Sequence, residues 1–205
     1  MKRTCKTRKV KPTQFAVGEF EVKSKLRELE GGRRRRARAV RKHVVPVVLS
    51  PDGEVYALDH HHFVSAALIA GVKRVRIDVR ADFTGRRISR PDFWKRMARK
   101  DWLYLYDQFG SGPREPLYLP PDMSGLSDDP YRSLAWMVRE EGGFANEEYL
   151  YSAFKWTEFF RRRRLLKGCE RRDLARVLPE ALRLARSPSA RGLPGYSGKT
   201  NEEAS

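Results

Sequence analysis

The chain has 205 residues, room for one large domain or a small domain with an extension, and its 40% hydrophobic and 11% aromatic content excludes global disorder. Lys and Arg number 43 against 26 Asp and Glu, a formal charge of +17; this favours polyanionic partners, nucleic acid, nucleotide phosphates or an acidic surface, without specifying any chemistry. Cys5 and Cys169 form no CxxC pair, so neither a disulfide framework nor a cysteine zinc site is expected, and no apolar run approaches the ~18 residues of a membrane span.

Residues 1–12, MKRTCKTRKVKP, read as a basic arm; they lack the apolar segment of a secretory signal, and a cytoplasmic protein is expected. In VGEFEVKSKLRELEGG, Val22, Leu26 and Leu29 recur at i, i+4 and i+7, which predicts a short helix closed by Gly31 and Gly32. The run RRRRARAVRKH reads as a solvated charged stretch, with a binding strip for a polyanion as the other reading. VVPVVLSPDGEVYAL has β character on both sides of Ser50-Pro51-Asp52-Gly53, which fits a type I turn with Pro second and Gly fourth.

Leu58–Gly71, LDHHHFVSAALIAG, holds three of the four histidines. Asp59 is a favoured N-cap, Phe63, Ala67 and Ala70 share a helical face, and Gly71 suits a left-handed C-cap. His60, His61 and His62 then fall in the first turn, where backbone N–H groups lack partners and the helix dipole is positive. Such an end suits a phosphate, with the imidazoles as further donors and the imidazolium form favoured by the bound anion. Two other readings stay open. One is a metal site, against which adjacent helical side chains point ~100° apart and no i, i+4 pair exists. The other is a merely exposed helix start.

VRIDV follows, alternating Val75, Ile77 and Val79 with Arg76 and Asp78 as a half-buried strand. Beyond residue 90 the chain reads as mainly helical. DDPYRSLAWMVREEGG has an Asp cap, Pro130 at the first helical position and a glycine stop. RRDLARVLPEALRLARSP places Leu174, Leu178, Ala181, Leu182 and Ala185 on one face, with Pro179 expected to kink or divide the helix. Residues 192–205 are Gly-, Ser- and polar-rich and read as a flexible tail.

The segment VVPVVLSPDGEVYALDHHHFVSAALIAGVKRVRIDV resembles the ParB/sulfiredoxin superfamily, and within it the ParB-like nuclease branch. There a strand leads to a polar-basic motif at a helix start, then an Ala/Leu-rich helix, a glycine and a strand. PTQFAVGEFEVKSKL resembles that branch's N-terminal element, and FWKRM, DWLYLYD, DDPYRSLAWMVREEGGF and LARSPSARGLPGYSG its helical half. The resemblance implies an α+β fold: a small ParB/sulfiredoxin-like mixed sheet with helices over residues 13–90, binding nucleotide, and a mainly helical region over 91–191 packed on it.

The superfamily binds nucleotides at this motif and includes CTP-dependent partitioning proteins, ATP-using sulfiredoxins and free-serine kinases. Sulfiredoxin's reactive cysteine has no counterpart in Asp59–His62, and Phe63 stands where partitioning proteins have an arginine. The site is most similar to the free-serine kinases, whose Asp-Gly-His-His-Arg-like motif matches Asp59 to Phe63 except at His60 and Phe63. Those kinases carry a catalytic glutamate in the N-terminal element, which implies Glu21, with Glu19 second. The resemblance thus implies a nucleotide (ATP, ADP or CTP) with Mg²⁺ bound by His60, His61, His62 and Ser65. Glu21, Asp59 and His61 would be catalytic, a carboxylate taking the proton of a hydroxyl nucleophile.

A reading of a different class is a DNA-binding protein or metal-dependent nuclease. The runs Arg33–Arg36 and Arg161–Arg164, with Arg33, Arg34, Arg161, Arg163 and Arg164 as the contacts, would neutralise backbone phosphates. Phe159 and Phe160 would stack on bases or fill a core. Asp128 and Asp129 would complete a metal site with the histidines or cap a helix.

Overall fold

A computed structural model describes residues 3–146, 152–166 and 173–198. The strands are β1 (Arg3–Lys6), β2 (Val10–Lys11), β3 (Ala16–Val17), β4 (Val44–Leu49), β5 (Val55–Ala57), β6 (Arg74–Asp82) and β7 (Ser127–Asp128). The helices are α1 (Glu19–Glu30), α2 (Arg33–Lys42), α3 (His61–Ile69), α4 (Arg90–Arg99), α5 (Pro130–Glu140), α6 (Ser152–Arg162) and α7 (Leu174–Arg186). The chain divides into two compact units, Met1–Val17 with Glu21–Ser127, and Gly18–Phe20 with Asp128–Ser205. Among the described residues no helix is long and apolar enough to cross a membrane. Cys169 lies outside the described residues; Cys5 is a free, half-buried thiol.

The first unit is built on a mixed sheet of order β1-β6-β4-β5-β2. β1 and β6 are antiparallel, β6 and β4 parallel, β4 and β5 antiparallel, β5 and β2 parallel. The expected N-terminal arm differs from this: Arg3 to Lys6 pair with Ile77 to Arg74, so these residues form an edge strand whose charged side chains blunt the open edge. Pro46 lies in the central strand, where a missing N–H normally breaks a ladder. Its carbonyl accepts from Leu58 N–H at 2.8 Å. The reciprocal bond is the one lost, just beyond the β5 pairing of Val47–Leu49 with Ala57–Val55.

The β4–β5 turn closes as expected, Gly53 N–H donating to Ser50 O at 2.9 Å. Gly53 has φ 79, the left-handed residue that follows a type I turn in a three-residue hairpin. Val45, Val47, Ala57, Val75 and Ile77 pack with Val22 and Leu29 of α1 and with Phe63, Val64, Ala66 and Ala67 of α3. α3, Ala-rich and buried on most of its surface, is therefore a core helix, held by burial rather than by amphipathicity. Val48, Tyr56 and Leu58 instead meet Phe83, Phe93 and Met97 in a second cluster, which puts residues 91–127 in the sheet-containing unit.

In the second unit Asp129 caps α5 by accepting Tyr131 N–H at 3.0 Å, with Pro130 at the first helical position, as its sequence predicts. Asp128 accepts Glu19 N–H at 2.8 Å. Gly18 permits a close approach: a Cβ there would lie 2.8 Å from Ser133 N. α7 runs unbroken through Pro179 and buries Leu174, Ala181 and Ala185 against Leu134, Val138 and a Trp156-centred aromatic cluster. The early part of the expected tail also differs. Leu193 and Tyr196 pack on this core, and Pro194 O accepts Trp156 Nε1–H at 2.7 Å, because two apolar side chains give the segment a reason to dock.

Candidate functional site

The α3 start differs by one residue from the cap that its sequence predicts. His60, not Asp59, is the N-cap, with φ 63 and ψ 25, and it makes no side-chain capping bond among the described residues. Asp59 is exposed, and its carboxylate accepts His60 N–H at 2.6 Å, so it shapes the turn before the helix. Left-handed backbone costs a non-glycine residue about 1–2 kcal/mol. The free-serine kinase motif has glycine at this position, and here the histidine bears the strain. His60→Gly is therefore expected to be about 1 kcal/mol more stable than His60→Ala in urea unfolding. Both variants lose the ring, so equal stabilities would mean that the left-handed turn relaxes without strain.

His61, the middle imidazole, is 3% exposed, and its Nε2 accepts Thr13 N–H at 3.1 Å. Thr13 Oγ1 lies 3.3 Å from the same nitrogen and donates to Ala57 O at 2.7 Å. A backbone donor requires a lone pair on Nε2, which places the ring proton on Nδ1. His61 thus fastens the buried Thr13 segment to the helix start.

His62 is 8% exposed, and its Nδ1 stands 3.5 Å from Glu21 Oε2. Glu21 and His62 are 41 residues apart in sequence, and the packing of α1 on α3 brings them together. Ser65 is buried on the same helix, and its Oγ has no hydrogen-bond partner among the described residues. A hydroxyl left in that state costs about 1–3 kcal/mol unless something else binds it.

Two residues that sequence reasoning missed join this cluster. His43, which ends α2, packs its ring on Phe63 with centroids 4.5 Å apart and meets His60 edge-on at 5.5 Å. Its Nε2 lies 3.1 Å from Glu28 Oε2. Burial pushes the His43 imidazole below its ordinary value despite the carboxylate beside it. Burial alone would raise Glu28, but its bond to His43 and the nearby Lys25 ammonium hold it below the usual carboxylate range. All four histidines therefore gather at one place, and α1 supplies a carboxylate to two of them. Among the described residues no group of three or more His, Cys, Asp or Glu side chains is arranged to hold a metal ion.

The arginines separate by environment. Arg33 and Arg34 open α2, where seven of ten residues are cationic and all seven are exposed. Arg161 is paired with Asp129, Arg163 stacks on Phe159 at 3.5 Å, and Arg164 is exposed in the turn after α6. Phe159 and Phe160 are 8% and 0% exposed and fill the core of the second unit, so base stacking by them is ruled out by their packing. Asp128 and Asp129 bond to backbone N–H groups at helix starts, which accounts for both without a metal.

A mixed sheet that delivers a polar, histidine-rich turn into a buried Ala-rich helix defines an α+β protein of the ParB/sulfiredoxin kind. The family model described as "Putative ParB-like nuclease" matches residues 3–162, and the chain belongs to that family. Among solved structures, protein Atu1540 from Agrobacterium tumefaciens is similar at 34% identity over 96% of each chain, with a TM-score of 0.85. The truncated chromosome-partitioning protein ParB from Caulobacter crescentus, solved with CTP-gamma-S, is 14% identical over 87% of this chain and 99% of its own. Its TM-score is 0.29, too low a likeness to carry an argument. No curated protein matches the chain.

Proposed function

We propose that this protein binds a nucleoside polyphosphate at the start of α3 and transfers a phosphoryl group to a small hydroxyl substrate. The observation that carries the reading is the Glu21–His62 approach of 3.5 Å at a helix start. A carboxylate beside an imidazole there can take a proton from a hydroxyl held near the terminal phosphate. The N–H groups of the α3 turn, the His60 ring and the orphaned Ser65 hydroxyl suit phosphate oxygens. Nucleotide with Mg²⁺ would supply the group to be transferred. His62 would orient Glu21, while His61 keeps the turn in register with Thr13.

A second reading has its own observation. α2 is a helix of seven exposed cations with no acidic residue, which suits the backbone of a DNA duplex. One experiment weighs both: thermal unfolding with Mg²⁺ and ATP, ADP, CTP or GTP, beside a short duplex. A nucleotide bound only by the folded state stabilises it by about 2.7 kcal/mol at a hundred times its dissociation constant. The expected result is a rise in Tm with at least one nucleotide, diminished by His60→Ala. No shift with any of the four would end the phosphate reading. A shift with duplex alone, removed by Arg33→Gln, Arg34→Gln and Arg38→Gln together, would put the DNA reading in its place.

A further inference from the structure

We propose that Glu28 and His43 are a positioning pair for His60 at the phosphate site; this rests on the phosphate reading above. Glu21 and Glu28 stand seven residues apart on α1, two helical turns, so they project from one face about 10 Å apart. Each meets an imidazole, His62 at 3.5 Å and His43 at 3.1 Å. The carboxylate of Glu28, accepting from Nε2–H, fixes the tautomer and the plane of the His43 ring. That ring lies on Phe63 at an interplanar angle of 29°, so it cannot turn without losing both the stack and the bond.

His60 needs such a support. It is the half-buried member of the four histidines, the others being 3–8% exposed, and so the one whose ring a solvent-borne phosphate reaches. Its backbone is left-handed, it makes no side-chain capping bond among the described residues, and its ring meets that of His43 edge-to-face with centroids 5.5 Å apart. Burial also holds the His43 imidazole below its ordinary value, despite the Glu28 carboxylate beside it. The titratable neighbours of His43 are Glu28, Lys25 and His60, and the first two stand 3.3 Å from each other. Glu28 therefore acts on the ligand through two rings rather than by contact.

The test uses the full chain, with inorganic tripolyphosphate as the probe, in calorimetric titration and in NMR of ¹⁵N-labelled histidine rings. The variants are Glu28→Gln, whose side chain is 32% exposed in the wild type, and His43→Phe, which keeps a ring on Phe63. At metal sites, outer partners that orient a histidine typically contribute about 10–100-fold to affinity. A loss of about tenfold is expected here in both variants. In Glu28→Gln the His43 tautomer should change and the His60 ring signals should move, even without ligand, while Tm stays near wild type. A purely structural pair would alter Tm and leave the His60 signals and the affinity alone. Should His43→Phe fail to fold, Glu28→Gln carries the test alone. Wild-type affinity and unmoved His60 signals in Glu28→Gln overturn the proposal and spare the phosphate site. If the wild type itself ignores tripolyphosphate, the phosphate site and this proposal fall together.

Discussion

Glu21→Gln is expected to slow phosphoryl transfer about 10²–10⁴-fold while nucleotide affinity stays close to wild type. The substitution keeps the size of the side chain and one hydrogen-bonding oxygen, and removes only the capacity to take a proton. Glu21 has 17% of its side chain exposed and approaches His62 Nδ1 to 3.5 Å, so the group is neither free in solvent nor sealed in the core. A base of this kind acts in the transition state, and its loss should fall on kcat rather than on KM. The measurement is a coupled assay of ADP or AMP release with serine and related hydroxyl compounds as acceptors. Full turnover in the variant would move the base elsewhere, with Asp59 and Glu19 next to be tried.

The second large effect is on stability, and it falls on a residue that the sequence offered as a DNA contact. Asp129 has 4% of its side chain exposed and is paired with Arg161, which is itself 15% exposed. Removing one partner of a buried ion pair typically costs about 3–5 kcal/mol, because the other charge is left without compensation. Arg161→Gln should destabilise the protein by about that amount in urea unfolding at pH 7. The pH dependence has a definite sign. Burial pushes the Asp129 carboxyl above its ordinary value, against the pull of Arg161 and Arg132, and loss of Arg161 raises it further. A carboxyl raised in the folded state binds a proton more readily there than in the unfolded chain, so stability falls as pH rises through the folded value. The deficit of Arg161→Gln should therefore shrink as the solution is made acidic. A deficit below about 1 kcal/mol at pH 7 would mean that Arg132 alone suffices for Asp129.

What the sequence revealed follows from how local the cause was. Val22, Leu26 and Leu29 mark α1 by their spacing, Ser50–Gly53 marks the hairpin by turn chemistry, and Asp129-Pro130 marks the start of α5. Each is decided within a few residues. Glu21 is implied by the resemblance, but its approach to His62 is not, and the spacing of the two residues in the chain does not reveal it. His61 looked like a ligand because its role depends on Thr13, 48 residues earlier and across the sheet-forming segment. Asp59 looked like the cap because it is the better capping residue; a left-handed His60 shifted the helix by one. His43 was passed over as the end of a charged run. The signal that could have found it is the pair of glutamates at i and i+7 on α1, each in need of a partner.

α2 has a consequence for how the fold meets its medium. Four arginines open the helix at the positive end of its dipole, where each cation is unfavourable by about 0.3–1 kcal/mol at low ionic strength. Arg34 with Arg38, and Arg38 with Lys42, add like-charge pairs one turn apart, at about 0.2–0.5 kcal/mol each. Ala39 is its one fully buried residue, with Val40 half-buried against the core. The segment is therefore wound against its own repulsion, and mobile ions relieve that repulsion by screening over a Debye length of about 10 Å at 0.1 M salt. Its amides should exchange with deuterium faster than those of α1 in dilute buffer, and slow as salt is added, while α1 barely responds. α2 would then behave as an ionic-strength gauge next to the imidazole cluster, since its last turn runs directly into His43.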